Sequence, residues 1–238
     1  MIHKNKFEIN YWLRKIYTSK LYQLLTVNEV KLRKRVFTSI YKSNHWVQNG
    51  SKLPNEFVSV SGHGSNINTE QHKLLVKNFT NIIKNYKINS ILDMPCGDFL
   101  WIKEIINKYH IKYLGIDIVE ELIKKNLKRY KASNINFENK DILDYKENIY
   151  FDLIIIRDLF IHINNSQIHQ ILNNLKKLKY KYLALTSYNN KKNSDVIIGK
   201  HRKINLLISP FNIKKPNYSF RDFENDKFIF IYEKNNFI

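Results

Sequence analysis

The chain has one cysteine in 238 residues, Cys96, which excludes an internal disulfide and a cysteine-built metal cluster and fits a reducing compartment. No apolar run reaches the length needed to cross a bilayer. The opening Met1-Ile2-His3-Lys4-Asn5-Lys6-Phe7-Glu8 does not resemble a cleaved signal peptide, so a cytoplasmic protein is expected. Glycine is scarce, at six residues, and the three-glycine Gly-x-Gly-x-x-Gly turn of nicotinamide and flavin sites is missing. Acids are also in the minority, with 21 Asp and Glu against 40 Lys and Arg, for a formal charge of +19. The basic excess is densest over the first forty residues and around 191–215 but is otherwise spread widely. It is compatible with nucleic acid, yet local basic clusters suit a small phosphate-bearing acceptor equally well, and nucleic acid is not favoured.

What the chain does have is an alternation of strand and helix patterns. Short apolar runs at 89–93, 112–117, 135–138, 151–156 and 182–186 are separated by helical patterns at 98–109, 119–130 and 165–178. Continuous runs such as Leu153-Ile154-Ile155-Ile156 mark strands buried on both faces. The expected fold is α/β and Rossmann-like, with a mostly parallel sheet and helices on both faces. Strand-like segments at 204–212 and 227–233, with no helix between them, predict an antiparallel C-terminal edge. Thr69 is the expected N-cap of a further helix carrying Leu74, Leu75, Phe79, Ile82 and Ile83.

Before the alternation begins, Ile9, Trp12, Leu13, Ile16, Tyr17, Leu21, Leu24 and Leu25 recur at helical spacing among basic residues. This predicts an N-terminal helical extension over 1–36, ahead of a single domain over 37–238. Such a helix would pack on the domain, form a homodimer or lie on a membrane surface.

Three acids fall at the ends of successive strands: Asp93, Asp117 and Asp141. In an open parallel sheet they would line one crevice, where nucleotide-like ligands bind. After Asp93, the pattern acid-x-Gly-x-Gly-x-Gly is altered to Pro95, Gly97 and Phe99. Pro95 can shape the turn but cannot donate a hydrogen bond, whereas Gly97 supplies close approach or a positive φ. A helix starting near Asp98 would point its amides at a carboxylate. Asp93 would meet an ammonium, Asp117 two ribose hydroxyls, and Asp141 with the Ile142 amide an adenine edge. The expected ligand is therefore S-adenosylmethionine, with S-adenosylhomocysteine as product.

Strand four ends in Arg157, Asp158 and, four residues on, His162. In a helical turn Asp158 and His162 would share a face, with Asp158 orienting the imidazole as a general base. A structural histidine is the competing reading. Arg157 would pair with a ligand carboxylate or phosphate. The cluster Gly199-Lys200-His201-Arg202-Lys203 could hold a substrate phosphate, with Arg202 its forked donor. Trp46 and the hydroxyls of Ser61 and Ser65, in a Gly- and Ser-rich segment, complete the candidate acceptor side. His169 has no carboxylates at ligand spacing, and no metal is expected.

The string Asp93-x-Pro95-Cys96-Gly97-Asp98-Phe99-x-Trp101 resembles the Pro-Cys-Gly-Asp-Phe variant of class I S-adenosylmethionine-dependent methyltransferases. The likeness takes in Ile40-Tyr41, Trp46 and Ser61-Gly62-x-Gly64-Ser65 upstream. Downstream it includes Asp117-Ile118-Val119, Arg157-Asp158, His162, Asn205-Leu206 and Pro210-Phe211, so that it spans about 37–215. It implies the fold, the cofactor and a methyl transfer in which Cys96 and Ile118 join the cofactor contacts. Some members resemble enzymes of surface-polysaccharide synthesis, which points to a sugar, sugar-nucleotide or glycan hydroxyl as acceptor. Two other readings are an RNA or DNA methyltransferase and a degenerate, non-catalytic partner subunit.

Overall fold

Strand residues alternate between the two faces of a sheet, and here that period divides the apolar residues into two cores. Leu92, Leu114, Ile116, Ile154, Ile156, Leu183 and Leu185 enter one core. Their neighbours Ile91, Tyr113, Leu153, Ile155, Tyr182 and Ala184 enter the other. Burying each such Leu or Ile contributes about 1.5–3 kcal/mol. The structure, a computed structural model, describes residues 2–26, 28–47, 53–222 and 225–237.

The strands are β1 (Ser90–Asp93), β2 (Lys112–Asp117), β3 (Ile135–Asn139), β4 (Tyr150–Ile156), β5 (Lys179–Tyr188), β6 (Tyr218–Arg221) and β7 (Lys227–Glu233). They form one sheet in the order β3-β2-β1-β4-β5-β7-β6. The first five run parallel, whereas β7 is antiparallel to β5 and β6 to β7. The strand order reverses between β1 and β4, and a crevice opens there beyond the carboxyl ends.

The N-terminal stretch, expected as one helix, is three: α1 (Ile2–Tyr17), α2 (Lys20–Leu25) and α3 (Glu29–Lys42). The breaks have local causes. The Ser19 side chain accepts from the Tyr22 amide, and the Asn28 side chain accepts from the Lys31 amide, each capping a new helix. The boundary expected after residue 36 falls inside α3, whose Leu32, Val36, Phe37 and Ile40 all enter one core.

On the same face lies α7 (Asn165–Leu175), through Ile168, Ile171, Leu172 and Leu175. The opposite face is covered by α4 (Glu70–Tyr86), capped by Thr69 as expected, and by α5 (Lys103–Tyr109). Between β2 and β3 runs α6 (Glu120–Arg129), and the short α8 (Lys234–Phe237) follows β7.

Two expectations fail locally. Residues 204–212 are not a strand, although Ile204, Leu206 and Phe211 are buried. Their backbone is held by local turns and by side chains: the Phe211 and Asn212 amides donate to the Ile208 carbonyl, Asn193 Nδ2 donates to the Asn205 and Ser209 carbonyls, and the Leu206 amide donates to Ser187 Oγ. The antiparallel partner of β7 is β6. Nor does a helix begin at Asp98. Residues 94–102 are turns, with Gly97 and Phe99 at φ +54° and +63°, and α5 starts at Lys103. The helix amides expected beside Gly97 are therefore elsewhere.

Candidate functional site

The turn after β1 is tied to both neighbouring strands. The Met94 amide donates to the Ile155 carbonyl and the Cys96 amide to the Ile116 carbonyl, each at 2.9 Å. Gly97 then comes so close to Ser61 that an added Cβ would lie 2.2 Å from Ser61 Oγ. Together with its positive φ, that leaves the position to glycine. Asp98 fastens the same loop from the other side: its amide donates to Ser61 Oγ (3.0 Å), and its carboxylate accepts from the Val60 amide (2.9 Å). Cys96 is buried against Gly115, and burial pushes its thiol well above the ordinary value, which makes it a packing residue and a poor nucleophile.

The Asp117 carboxylate at the end of β2 accepts from the Gly97 amide (3.2 Å) and the Val119 amide (2.9 Å). Burial nevertheless raises it to about 6, against the pull of these amides. It lines a cleft of about 1090 Å³, measured out to the open mouth. Ile118, Leu122, Asp141, Ile142, Arg33 and Phe37 line the same cleft. Asp141 caps the turn 142–144 by accepting from the Leu143 amide (3.0 Å), and its other oxygen accepts from Arg33 Nε (2.7 Å).

Asp93 is placed differently from expectation. It lies beneath the cleft, 1 % exposed and outside the lining, where it accepts from the Tyr113 hydroxyl (2.8 Å). Burial raises it to about 7.

The cleft is also lined by Trp46, Val60, Ser61, Ser65, Trp101, Arg157, Asp158 and His162, and by Pro95, Cys96 and Gly97 of the turn after β1. Arg157 donates to Ser65 Oγ (3.0 Å) and to the Gly64 carbonyl (2.6 Å), while its Nε is buried without a partner. Asp158 does not orient His162. It sits at φ +60°, outside any helical turn, and its Oδ2 accepts from Lys227 Nζ (2.9 Å). Burial opposes its charge, but Lys227 and Arg157 hold its carboxyl well below the usual carboxylate range. Arg157 and Lys227 also flank buried Asp222, at 3.6 and 3.0 Å, closing a network of two cations and two anions.

The partner of His162 Nδ1 is instead the Lys200 carbonyl, at 3.1 Å. A carbonyl only accepts, so Nδ1 carries the proton and Nε2 keeps a lone pair. The ring stacks on Trp46 with centroids 4.8 Å apart and planes 30° apart. Burial, reinforced by His201 and Arg202, brings its pKa down to about 4 against the Lys200 carbonyl and Asp158, so it is neutral at pH 7. Arg202, expected to bind substrate, is not in the lining. Its guanidinium is spent on the Ser194 carbonyl (2.8 Å), the Phe160 carbonyl (2.9 Å) and Asn165 Oδ1 (3.0 Å), which anchors the turn carrying His162.

Sequence reasoning missed Arg33, Asp222 and Lys227. Arg33 sits in a helix rich in basic residues, and only its spacing from Val36, Phe37 and Ile40 marks it as inward-facing. Asp222 and Lys227 flank the start of β7, and nothing in the linear sequence relates them to residues 157–158.

Residues 91–179 match a family model described as a methyltransferase domain. Curated proteins contain no match to the sequence. Among solved structures, a magnesium protoporphyrin IX methyltransferase from Synechocystis PCC 6803, with bound SAM, superposes with a TM-score of 0.61 at 12% identity. That alignment covers 87% of this chain and 97% of the other. An N-methyltransferase from Bradyrhizobium japonicum WM9, in complex with S-adenosylhomocysteine, gives 0.56 at 14% identity over 82% and 97% of the two chains. A 1,6-didemethyltoxoflavin-N1-methyltransferase from Burkholderia thailandensis gives 0.54 at 10% identity over 70% and 79%. At such identities the likeness is one of architecture, and the chain has the Rossmann-like methyltransferase fold.

Proposed function

We propose that this chain is an S-adenosylmethionine-dependent methyltransferase acting on a hydroxyl of a small acceptor, a sugar, sugar nucleotide or glycan unit. The observation that carries this reading is one cleft lined both by Asp117 and by a neutral histidine whose Nε2 keeps its lone pair.

The residues present fit that cofactor. Gly97, held at positive φ and packed against Ser61, brings its backbone to the cleft lining beside Asp117. Asp117 has taken two amides and retains lone pairs for two ribose hydroxyls, whose donation would relieve the burial of its charge. Ile118 and Ile142 offer apolar contact for an adenine, with Asp141 held beside them. The unpartnered Nε of Arg157 suits the methionyl carboxylate.

When bound, the cofactor supplies a methyl group on a sulfonium, with a neutral thioether as leaving group. His162 Nε2 accepts the proton of the attacking hydroxyl, a contribution of about 10²–10⁴ in rate. The Lys200 carbonyl fixes the tautomer and Trp46 the plane of the ring. The choice of a sugar rests on the family resemblance of the motif around Gly97, and the choice of oxygen over nitrogen on the presence of a base.

Calorimetric titration with S-adenosylmethionine and S-adenosylhomocysteine tests the first half. Micromolar binding that disappears in Asp117→Ala supports the reading, and no binding by folded protein overturns it. A radiolabelled-methyl screen of sugar nucleotides against RNA oligonucleotides tests the second. Transfer to RNA alone would reassign the acceptor to nucleic acid, with which the charge of +19 is compatible.

A further inference from the structure

The apolar stripe of the N-terminal segment faces outward. Ile9, Trp12 and Ile16 lie on one side of α1, at helical spacings of three and four, and Leu21, Leu24 and Leu25 repeat that spacing on α2. All six are 50–73 % exposed. A soluble surface rarely carries so many large apolar side chains together without an occupant. The other side of the same unit is anchored. Tyr17 and Tyr22 pack on the core, Gln23 Nε2 donates to the Ile198 carbonyl (2.8 Å), and the Ile198 amide donates to Gln23 Oε1 (2.9 Å). The exposed side is therefore a fixed face, held in register with the domain.

Its charge selects the occupant. Residues 1–42 carry ten Lys and Arg against two Glu. Lys15 Nζ lies 4.6 Å from the Tyr11 ring centre and 4.8 Å from that of Trp12, which sets cation and aromatic side by side at the rim of the stripe. A second copy of the chain would bring like charges together on burial, at +19 per copy. An anionic lipid surface complements both features: acyl chains accept the leucines and the tryptophan, and headgroup phosphates face the lysines.

We propose that α1 and α2 form a peripheral docking face for anionic membranes. The docked face connects to the cleft. The Gly199 amide donates to the His162 carbonyl (2.8 Å), and Gly199 packs closely against Thr18, Val36 and Ile40. Docking through α1 and α2 thus holds His162, which lines the cleft, at a defined place relative to the bilayer.

Sedimentation of the full chain with vesicles tests this, using phosphatidylcholine alone and phosphatidylcholine mixed with phosphatidylglycerol. Binding to the mixed vesicles is expected, with a partition coefficient reduced roughly 100-fold in a Trp12→Ser, Leu24→Ser, Leu25→Ser variant. These side chains are exposed, so the variant folds, and its unchanged thermal melting checks that. Two results overturn the proposal: no binding by the wild type, or equal binding by wild type and variant, which would reduce the effect to diffuse basic charge. Sedimentation equilibrium gives a third, since a dimer lost in the same variant would make a second copy the occupant. S-adenosylhomocysteine affinity, measured in parallel, is unaffected by these substitutions and keeps this test separate from that of the cofactor site.

Discussion

Arg33 and Asp141, 108 residues apart, form an ion pair of 2.7 Å in which neither side chain is more than 8 % exposed. The pair joins α3 to the end of β3 and lines the cleft, so the N-terminal segment contributes to the wall of the ligand site. Removing one member leaves the other buried with less compensation. Arg33→Met is expected to cost about 3 kcal/mol in urea unfolding and to weaken S-adenosylhomocysteine binding about tenfold or more. Replacing both residues by apolar ones should restore most of the stability without restoring the affinity. Equal affinity in wild type and Arg33→Met would remove the pair from ligand recognition.

Asp117 titrates at about 6 in the folded protein against 3.8 for an ordinary Asp. Its charged form accepts the ribose hydroxyls, so cofactor affinity should fall as pH drops through 6, by up to about tenfold per unit. Fold stability runs the other way. A carboxyl whose pKa is raised by folding contributes fully below 3.8, and that contribution is lost as pH rises through about 6. Calorimetry and urea titration between pH 3.8 and about 6 should therefore show opposite slopes for this group, and no slope from it well above 6.

His162 is deprotonated above its value of about 4. With His162 as base, kcat should be level across neutral pH and decline only on the acid side, without the inflection near 6.5 of an unperturbed imidazole. His162→Gln should lower kcat by about 10²–10⁴ and leave S-adenosylhomocysteine affinity unchanged. Turnover equal to wild type would assign the residue a structural role only.

Gly97→Ala should be poorly tolerated for two independent reasons, φ of +54° and a Cβ placed 2.2 Å from Ser61 Oγ. A stability loss of about 1–3 kcal/mol is expected, with a loss of cofactor binding as the turn shifts. The double variant Gly97→Ala, Ser61→Gly relieves the contact but not the dihedral, and should recover only part of the stability.

The parallel half of the sheet was legible because its strands are buried on both faces: Leu153–Ile156 and Ile91–Leu92 have no polar side to confuse the period. Of the acids expected at strand ends, Asp117 and Asp141 line the cleft, whereas Asp93 is buried outside the lining, a difference that position at a strand end does not reveal. Side-chain commitments were not legible. Arg202 stands in a basic cluster, and only three-dimensional packing shows its guanidinium consumed by two carbonyls and Asn165. Residues 204–212 carry strand-like apolar side chains, yet their backbone is bonded by Asn193 and Ser187, a competition that periodicity cannot register. The partner of β7 was missed because Tyr218–Arg221 follows a Pro- and Lys-rich stretch with no apolar run. Asp158 looked helical by spacing to His162, whereas its left-handed backbone turns it towards Lys227.

The sheet order places β7 beside β5, and with it Lys227 against Asp158, 69 residues earlier in the chain. Arg33 with Asp141 and Lys227 with Asp158 thus fix cleft-lining acids by contacts between distant parts of the sequence. Closing such loops costs entropy before the contacts repay it. A nascent chain that has completed β1 to β5 already carries every residue named in the cleft lining, but Arg157 and Asp158 gain their partners Asp222 and Lys227 only when β7 docks.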